Sequence, residues 1–129
     1  MKPLHIALVA TLLFAFGCST HRYVASRFPD GKPEVVIHYD GKGDSAMKVM
    51  EEVYHPNGKL DYRGRFKDGK ENGEWNYFYD NGTRKFTEHW ENGLEEGVQT
   101  DYAPDGQIYR ELYYEKGKLV RTVDRSKVE

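Results

Sequence analysis

Between residues 46 and 120 the chain runs in segments of seven or eight residues rich in Tyr, Phe, Trp and Val, each bounded by a polar dipeptide containing glycine. Short aromatic and β-branched runs between turn residues predict β-strands. The bounding dipeptides are periodic. Asn57-Gly58, Asn81-Gly82 and Asp105-Gly106 step by 24 residues, as do Asp68-Gly69, Asn92-Gly93 and Lys116-Gly117, and Gly73 returns as Gly97. Asn-Gly and Asp-Gly accept the positive φ that tight reversals demand. Gly58, Gly69, Gly73, Gly82, Gly93, Gly97, Gly106 and Gly117 are therefore read as corners. Two corners in each 24-residue period predict an array of β-hairpins.

Stacking the chain on this period sorts its strands into columns. Tyr54/Phe78/Tyr102, Phe66/Trp90/Tyr114 and Leu60/Arg84/Ile108 are mostly apolar, whereas Arg63/Thr87/Glu111 and Arg65/His89/Tyr113 are mostly polar. Strand side chains alternate between faces, so one packed aromatic face and one mixed face are expected. With Phe78 in the packed column, Trp75, Tyr77 and Tyr79 fall on the other face, alongside Arg63 and Arg65 of the preceding strand. One repeat later the three aromatic positions hold Gln99, Asp101 and Ala103, so this patch belongs to a single unit. Aromatic residues beside arginine are typical of interaction hot spots, which makes these five residues the candidate binding face. The competing reading is that residues 19–30 or the C-terminal tail pack over it.

The pattern divides the chain into a segment 18–27 expected to be a tether and a repeat domain over 28–120. Within the domain, a degenerate unit 28–53 is followed by repeats 54–77, 78–101 and 102–120, and a polar tail occupies 121–129. Tyr62-x-Gly64-x-Phe66-x-x-Gly69-x-x-x-Gly73, followed by Tyr77-x-Tyr79-x-Asn81-Gly82, resembles a MORN repeat, and the 24-residue step is most similar to the bacterial variant of that repeat. The resemblance covers about residues 50–120. The middle unit departs from it with Glu88 in the place of Gly64. The last has Arg110 in the place of Tyr62 and no counterpart of Gly73, which makes the final hairpin a candidate cap. The resemblance implies an all-β, elongated antiparallel sheet of stacked hairpins that serves as an interaction scaffold. Some members of the family are antitoxin-like or immunity-like.

The N-terminus follows a different pattern. Lys2 precedes an uncharged run of eleven residues, Ile6–Phe16, shorter than the roughly 20 that a spanning helix needs, so residues 1–17 read as a secretory signal. The run ends at Gly17-Cys18, and Cys18 is the sole cysteine, which excludes an internal disulfide. Gly17-Cys18 resembles the lipobox of bacterial lipoproteins, with Ala15 standing where leucine is usual. The resemblance implies cleavage between Gly17 and Cys18 and lipidation of Cys18. A diacylglyceryl group supplies the two acyl chains that stable anchoring requires. Ser19 resembles an outer-membrane address if the cell is Gram-negative, which puts the chain in the cell envelope.

Composition narrows the function. The chain has 19 basic and 21 acidic residues and no basic run longer than two, so the phosphate-neutralising surface of a nucleic-acid binder is missing. Loss of Lys2 with the signal takes the formal charge from -2 to -3, so the membrane contact is expected through the lipid and not through basic residues. A mean hydropathy of -0.83 favours a thin sheet over a thick core. His21, His38, His55 and His89 show no metal-ligand spacing. The adjacent pairs Glu51-Glu52 and Glu95-Glu96 must point to opposite faces and are expected to be solvated. No nucleophile, phosphate-loop or dinucleotide motif is present. The expectation is a lipid-anchored, non-enzymatic scaffold without a cofactor that binds a protein. Glycan or peptidoglycan binding through Trp75, Tyr77 and Tyr79, and an immunity-like role, are the alternatives.

Overall fold

The structure, a computed structural model, describes residues 20–126. The expected signal segment 1–17, with Gly17, and Cys18 lie outside the described residues. The strands are β1 (Thr20–Arg27), β2 (Pro33–Asp40), β3 (Met47–Tyr54), β4 (Leu60–Lys67), β5 (Lys70–Glu71), β6 (Gly73–Phe78), β7 (Arg84–Glu91), β8 (Leu94–Glu95), β9 (Gly97–Tyr102), β10 (Ile108–Glu115) and β11 (Lys118–Asp124). All pair antiparallel in the order β1-β2-β3-β4-β6-β7-β9-β10-β11, with β5 on β4 and β8 on β7. The fold is thus an open meander of hairpins in sequence order. At about 4.8 Å per strand it extends roughly 40 Å across the strands.

Two kinds of corner build it, one at each end of the strands. At one end the turn amide of glycine bonds back three residues: Gly31 to Phe28, Gly58 to His55, Gly82 to Tyr79 and Gly106 to Ala103, each at 2.8 Å. In each, the Asn or Asp before the glycine accepts from the backbone N–H of the residue after it, as in Asn57 Oδ1 with Lys59 N at 2.9 Å and Asn81 Oδ1 with Thr83 N at 2.9 Å. At the other end Asp68-Gly69, Asn92-Gly93 and Lys116-Gly117 are two-residue reversals in which both residues have positive φ, for example 51° and 75° at Asp68 and Gly69. Two consecutive positive φ values define the mirror-image turn whose twist matches a hairpin. All eight corner glycines have positive φ, although Gly73 and Gly97 open β6 and β9 and kink the return strands there.

Neighbouring units are tied through these corners. Asn57 Nδ2 donates to Asp80 O at 2.7 Å, Lys59 Nζ to Asn81 O at 2.8 Å, and the amides of Gly93 and Gly117 to the carbonyls of Glu71 and Glu95 at 2.9 Å. One layer of sheet is all the described chain forms, and the buried apolar side chains are two, Val36 and Trp75.

Two boundaries differ from the sequence expectation. Of the expected tether 18–27, residues 20–27 form β1, paired with β2 from Thr20↔Asp40 to Arg27↔Pro33, where Val24 lies opposite the fully buried Val36. This segment contains no glycine corner and falls outside the 24-residue period, so its strand character was hidden. The expected tail 121–129 begins inside β11, whose pairing with β10 continues to Arg110↔Asp124. Arg125 then clamps Glu111 at 2.6 Å. Because residues 20–27 and 118–124 are edge strands, neither covers a face of the sheet.

Candidate interaction face

The pairing of β4 with β6 decides which side chains share a face. Tyr62 lies opposite Tyr77, and Arg63 opposite Asn76. Tyr77 and Trp75 therefore sit with Tyr62, Gly64 and Phe66, while Arg63 and Arg65 are on the other side. The five residues expected to form one binding face are split between two. Trp75, expected to be exposed, is 7% exposed. Its ring stacks on Tyr62 at 6.0 Å, takes the edge of Phe66 at 5.3 Å, lies against Trp90 at 6.3 Å and covers Gly64, and its Nε1 donates to Arg65 O at 3.2 Å. Tyr77 continues the stack to Phe86 at 4.1 Å. Tyr79 stands apart at a corner, its hydroxyl donating to Tyr102 O at 2.9 Å.

The result is an aromatic face: Tyr62, Phe66, Trp75, Tyr77, Phe86 and Trp90 form one contiguous sheet of rings, and no second layer of the described chain lies over it. Carboxylates are set among the rings. Glu51 accepts from Lys48 Nζ at 2.6 Å and from the Tyr62 hydroxyl at 2.5 Å, and Lys48 also lies 4.0 Å from the centre of the Phe66 ring. Burial pushes the Glu51 carboxyl up, but the Lys48 and Tyr62 hydrogen bonds outweigh it and hold it below its ordinary value. Farther along, Glu88 accepts from Trp90 Nε1 at 3.0 Å and from the Tyr77 hydroxyl, and Glu95 lies opposite Trp90. Burial raises the Glu95 carboxyl, and the negative charge of Glu88 raises it further.

The opposite face is polar and closed on itself. Glu52, 6% exposed, accepts from Arg63 Nε at 2.8 Å and from the Tyr54 hydroxyl at 3.1 Å, and lies 3.0 Å from His38 Nε2. Burial pushes its carboxyl up, and the hydrogen bonds from His38, Arg63 and Tyr54 together bring it below its ordinary 4.5. Asp101, by contrast, lies on the aromatic face opposite Phe86; it is 3% exposed and is held by Arg110 at 2.5 Å. The expectation that Glu51 and Glu52 are solvated is therefore corrected: they do point to opposite faces, but each is bound by a cation. His55, which opens the corner after β3, is half-buried and lies 3.1 Å from Phe78 O of the next corner. Among the described residues no group of three or more His, Cys, Asp or Glu is arranged to hold a metal.

The MORN repeat variant matches residues 50–68, 71–92 and 95–116. The chain carries MORN-variant repeats. Their matched ends at residues 68, 92 and 116 fall in the two-residue reversals, so one MORN unit is a hairpin about an Asn-Gly or Asp-Gly corner, the same period as the expected repeats in a different phase. The hairpin β1-β2 repeats the corner geometry at Phe28–Lys32 but lies outside the matched residues. A search of the curated proteins found no match. MORN repeats are in general motifs of protein and membrane interaction. The Glu88–Glu95 pair was the feature least visible in the sequence. Its one signal was the exchange of Gly64 and Trp75 for Glu88 and Gln99 at equivalent places of the next repeat.

Proposed function

We propose that this chain is a non-enzymatic scaffold of the cell envelope, held to the membrane through lipid on Cys18, and that it binds a protein partner on its aromatic face. The observation that carries the reading is that face: contiguous rings on a laterally hydrogen-bonded sheet, left uncovered by the described chain. Rings already held by their neighbours lose little freedom when a partner covers them, which favours binding. The glycan alternative has less support, because stacking a sugar needs an open ring face and Trp75 is enclosed by four other aromatic residues. An immunity-like role would be one instance of this scaffold, defined by its partner.

Adjacent residues on β10 supply the test. Leu112 pairs with Gln99 on the aromatic side and Tyr113 lies on the other. A photo-crosslinking residue at 112 is expected to capture a discrete protein in cells, and the same residue at 113 is not. Capture from 113 alone, or from neither, overturns the reading. The membrane arm is separate: Cys18→Ser is expected to release the protein from the membrane fraction, and unchanged mass and partition would refute lipid anchoring.

A further inference from the structure

We infer that the part of the aromatic face between Tyr77 and Tyr114 is a receptor for an arginine side chain of the partner, gripped by Glu88 and Glu95 and stacked on Trp90. The inference rests on the scaffold reading and gives the partner its chemistry.

Four carboxylates of the sheet are neutralised by cations of the same chain. Glu51 has Lys48, Glu52 has Arg63, Asp101 has Arg110 and Glu111 has Arg125, each as an ion pair of 2.5 to 2.6 Å. Glu88 and Glu95, half-buried on the aromatic face, differ from these four. They stand on neighbouring strands close enough for the charge of one to act on the other, and among the described residues neither has an ion-pair partner. The donors that Glu88 does have, Trp90 Nε1 and the Tyr77 hydroxyl, are neutral. Tyr114 feels both carboxylates, and Arg110, the guanidinium that also acts on Tyr114, is already engaged by Asp101. Two like charges among half-buried rings repel each other, and a cation placed between them removes that repulsion.

The same face shows what a filled version looks like. On β3 and β4 Lys48 lies between Glu51 and the ring of Phe66, at 2.6 Å from the first and 4.0 Å from the centre of the second. A cation supplied from outside would do the same for Glu88, Glu95 and Trp90. Arginine suits the place better than lysine, because a planar guanidinium can stack on an indole while its forked donors meet two carboxylates. The chain stacks one of its own arginines in this way, with Arg121 3.6 Å from the centre of the Tyr113 ring on the other face.

The test is a nuclear magnetic resonance titration of the full chain in detergent with the peptide acetyl-Ala-Arg-Ala-amide, followed at the Trp90 indole N–H and the amides of Gly93 and Gly97. A saturable shift at these groups is expected, weakened at least roughly tenfold when citrulline, of the same shape without the charge, replaces arginine. Glu88→Gln/Glu95→Gln is expected to abolish the response with amide dispersion retained, and Glu91→Gln, an exposed acid on the same strand, to leave it intact. Equal response to citrulline, shifts scattered over the sheet, or undiminished binding by the double variant would overturn the assignment. If crosslinking from position 112 captures a partner equally well in the double variant, the arginine receptor fails while the scaffold stands. Loss of capture in every variant, the parent included, defeats the scaffold itself.

Discussion

At the scale of single residues, Gly64 and Trp75 show how the sheet makes a core without a second layer. Gly64 is buried and has no unusual backbone angle, but a Cβ there would lie inside the Trp75 ring, so glycine is required by packing and not by φ. Gly64→Ala is expected to cost about 2 kcal/mol in urea unfolding, in the range of overpacked cores, and to shift Trp75 emission toward the red as the ring is pushed outward. Adding Trp75→Leu should restore part of the loss, whereas additive losses would mean the two residues do not share one site. The other buried test residue is Glu52. Glu52→Gln is expected to cost roughly 2 kcal/mol at pH 7, because it weakens charge-assisted hydrogen bonds to Arg63 and His38 in a buried site. The sign with pH follows from a folded-state value held below the ordinary 4.5: the carboxylate stabilises the fold above that pH and loses its effect as pH falls through the depressed value. Parent and variant should therefore converge in acid, and a constant difference between pH 7 and pH 3 would contradict the ion-pair account. Glu95 has the opposite sign, since its value is raised. Its charge opposes folding at neutral pH and ceases to do so once protonated, so Glu95→Gln should raise Tm more at pH 7 than at pH 4.

At the scale of elements, the corners were legible in the sequence and the faces were not. A corner is local chemistry: Asn57-Gly58 or Asn92-Gly93 carries its own turn propensity, and the positive φ at all eight predicted glycines follows from a few adjacent residues. A face depends on how parity passes through each corner. The two-residue reversal pairs Lys67 with Lys70, so even-numbered residues of β4 share a side with odd-numbered residues of β5 and β6. Phe66 consequently lies with Trp75 and Tyr77, while Tyr54, bound to Glu52, belongs to the opposite side. Grouping columns 54 and 66 because both are aromatic merged two faces and displaced the candidate patch. The turn types yield two predictions. Gly82→Val places a β-branched residue at φ 91° and is expected to destabilise by about 1–2 kcal/mol. Lys116 occupies, at φ 49°, the place that Asp68 and Asn92 fill in the other units, so Lys116→Asn should stabilise by roughly 0.5–1 kcal/mol. A neutral melting shift in both variants would mean that the backbone at these corners is other than described.

At the scale of the whole molecule, each hairpin touches only the hairpins beside it, so the sheet behaves as a one-dimensional stack whose units can be removed. The cut that tests this deletes Tyr79–Tyr102, one period of 24 residues, and joins Phe78 to Ala103. Ala103 begins the same hydrogen-bonded corner as Tyr79, with Gly106 N on Ala103 O where Gly82 N was on Tyr79 O. The ties from the preceding unit find equivalent partners: Asn57 can donate to Pro104 O in place of Asp80 O, as Asn81 already does, and the carbonyl of Glu71 can accept from Gly117 in place of Gly93. The shortened chain should therefore fold to the same antiparallel sheet by circular dichroism, with a lower Tm and a urea m-value reduced by about a fifth, since m follows the surface exposed on unfolding. Deleting 23 residues, Asp80–Tyr102, is the control. It shifts the chain by one position, and a one-residue slip sends every side chain beyond the junction to the other face. That variant should lose cooperative unfolding. If both deletions unfold cooperatively with equal midpoints, the stack does not depend on register. If the 24-residue deletion alone fails to fold, the unit at 79–102 supplies something its neighbours cannot, and the sheet is not a modular array.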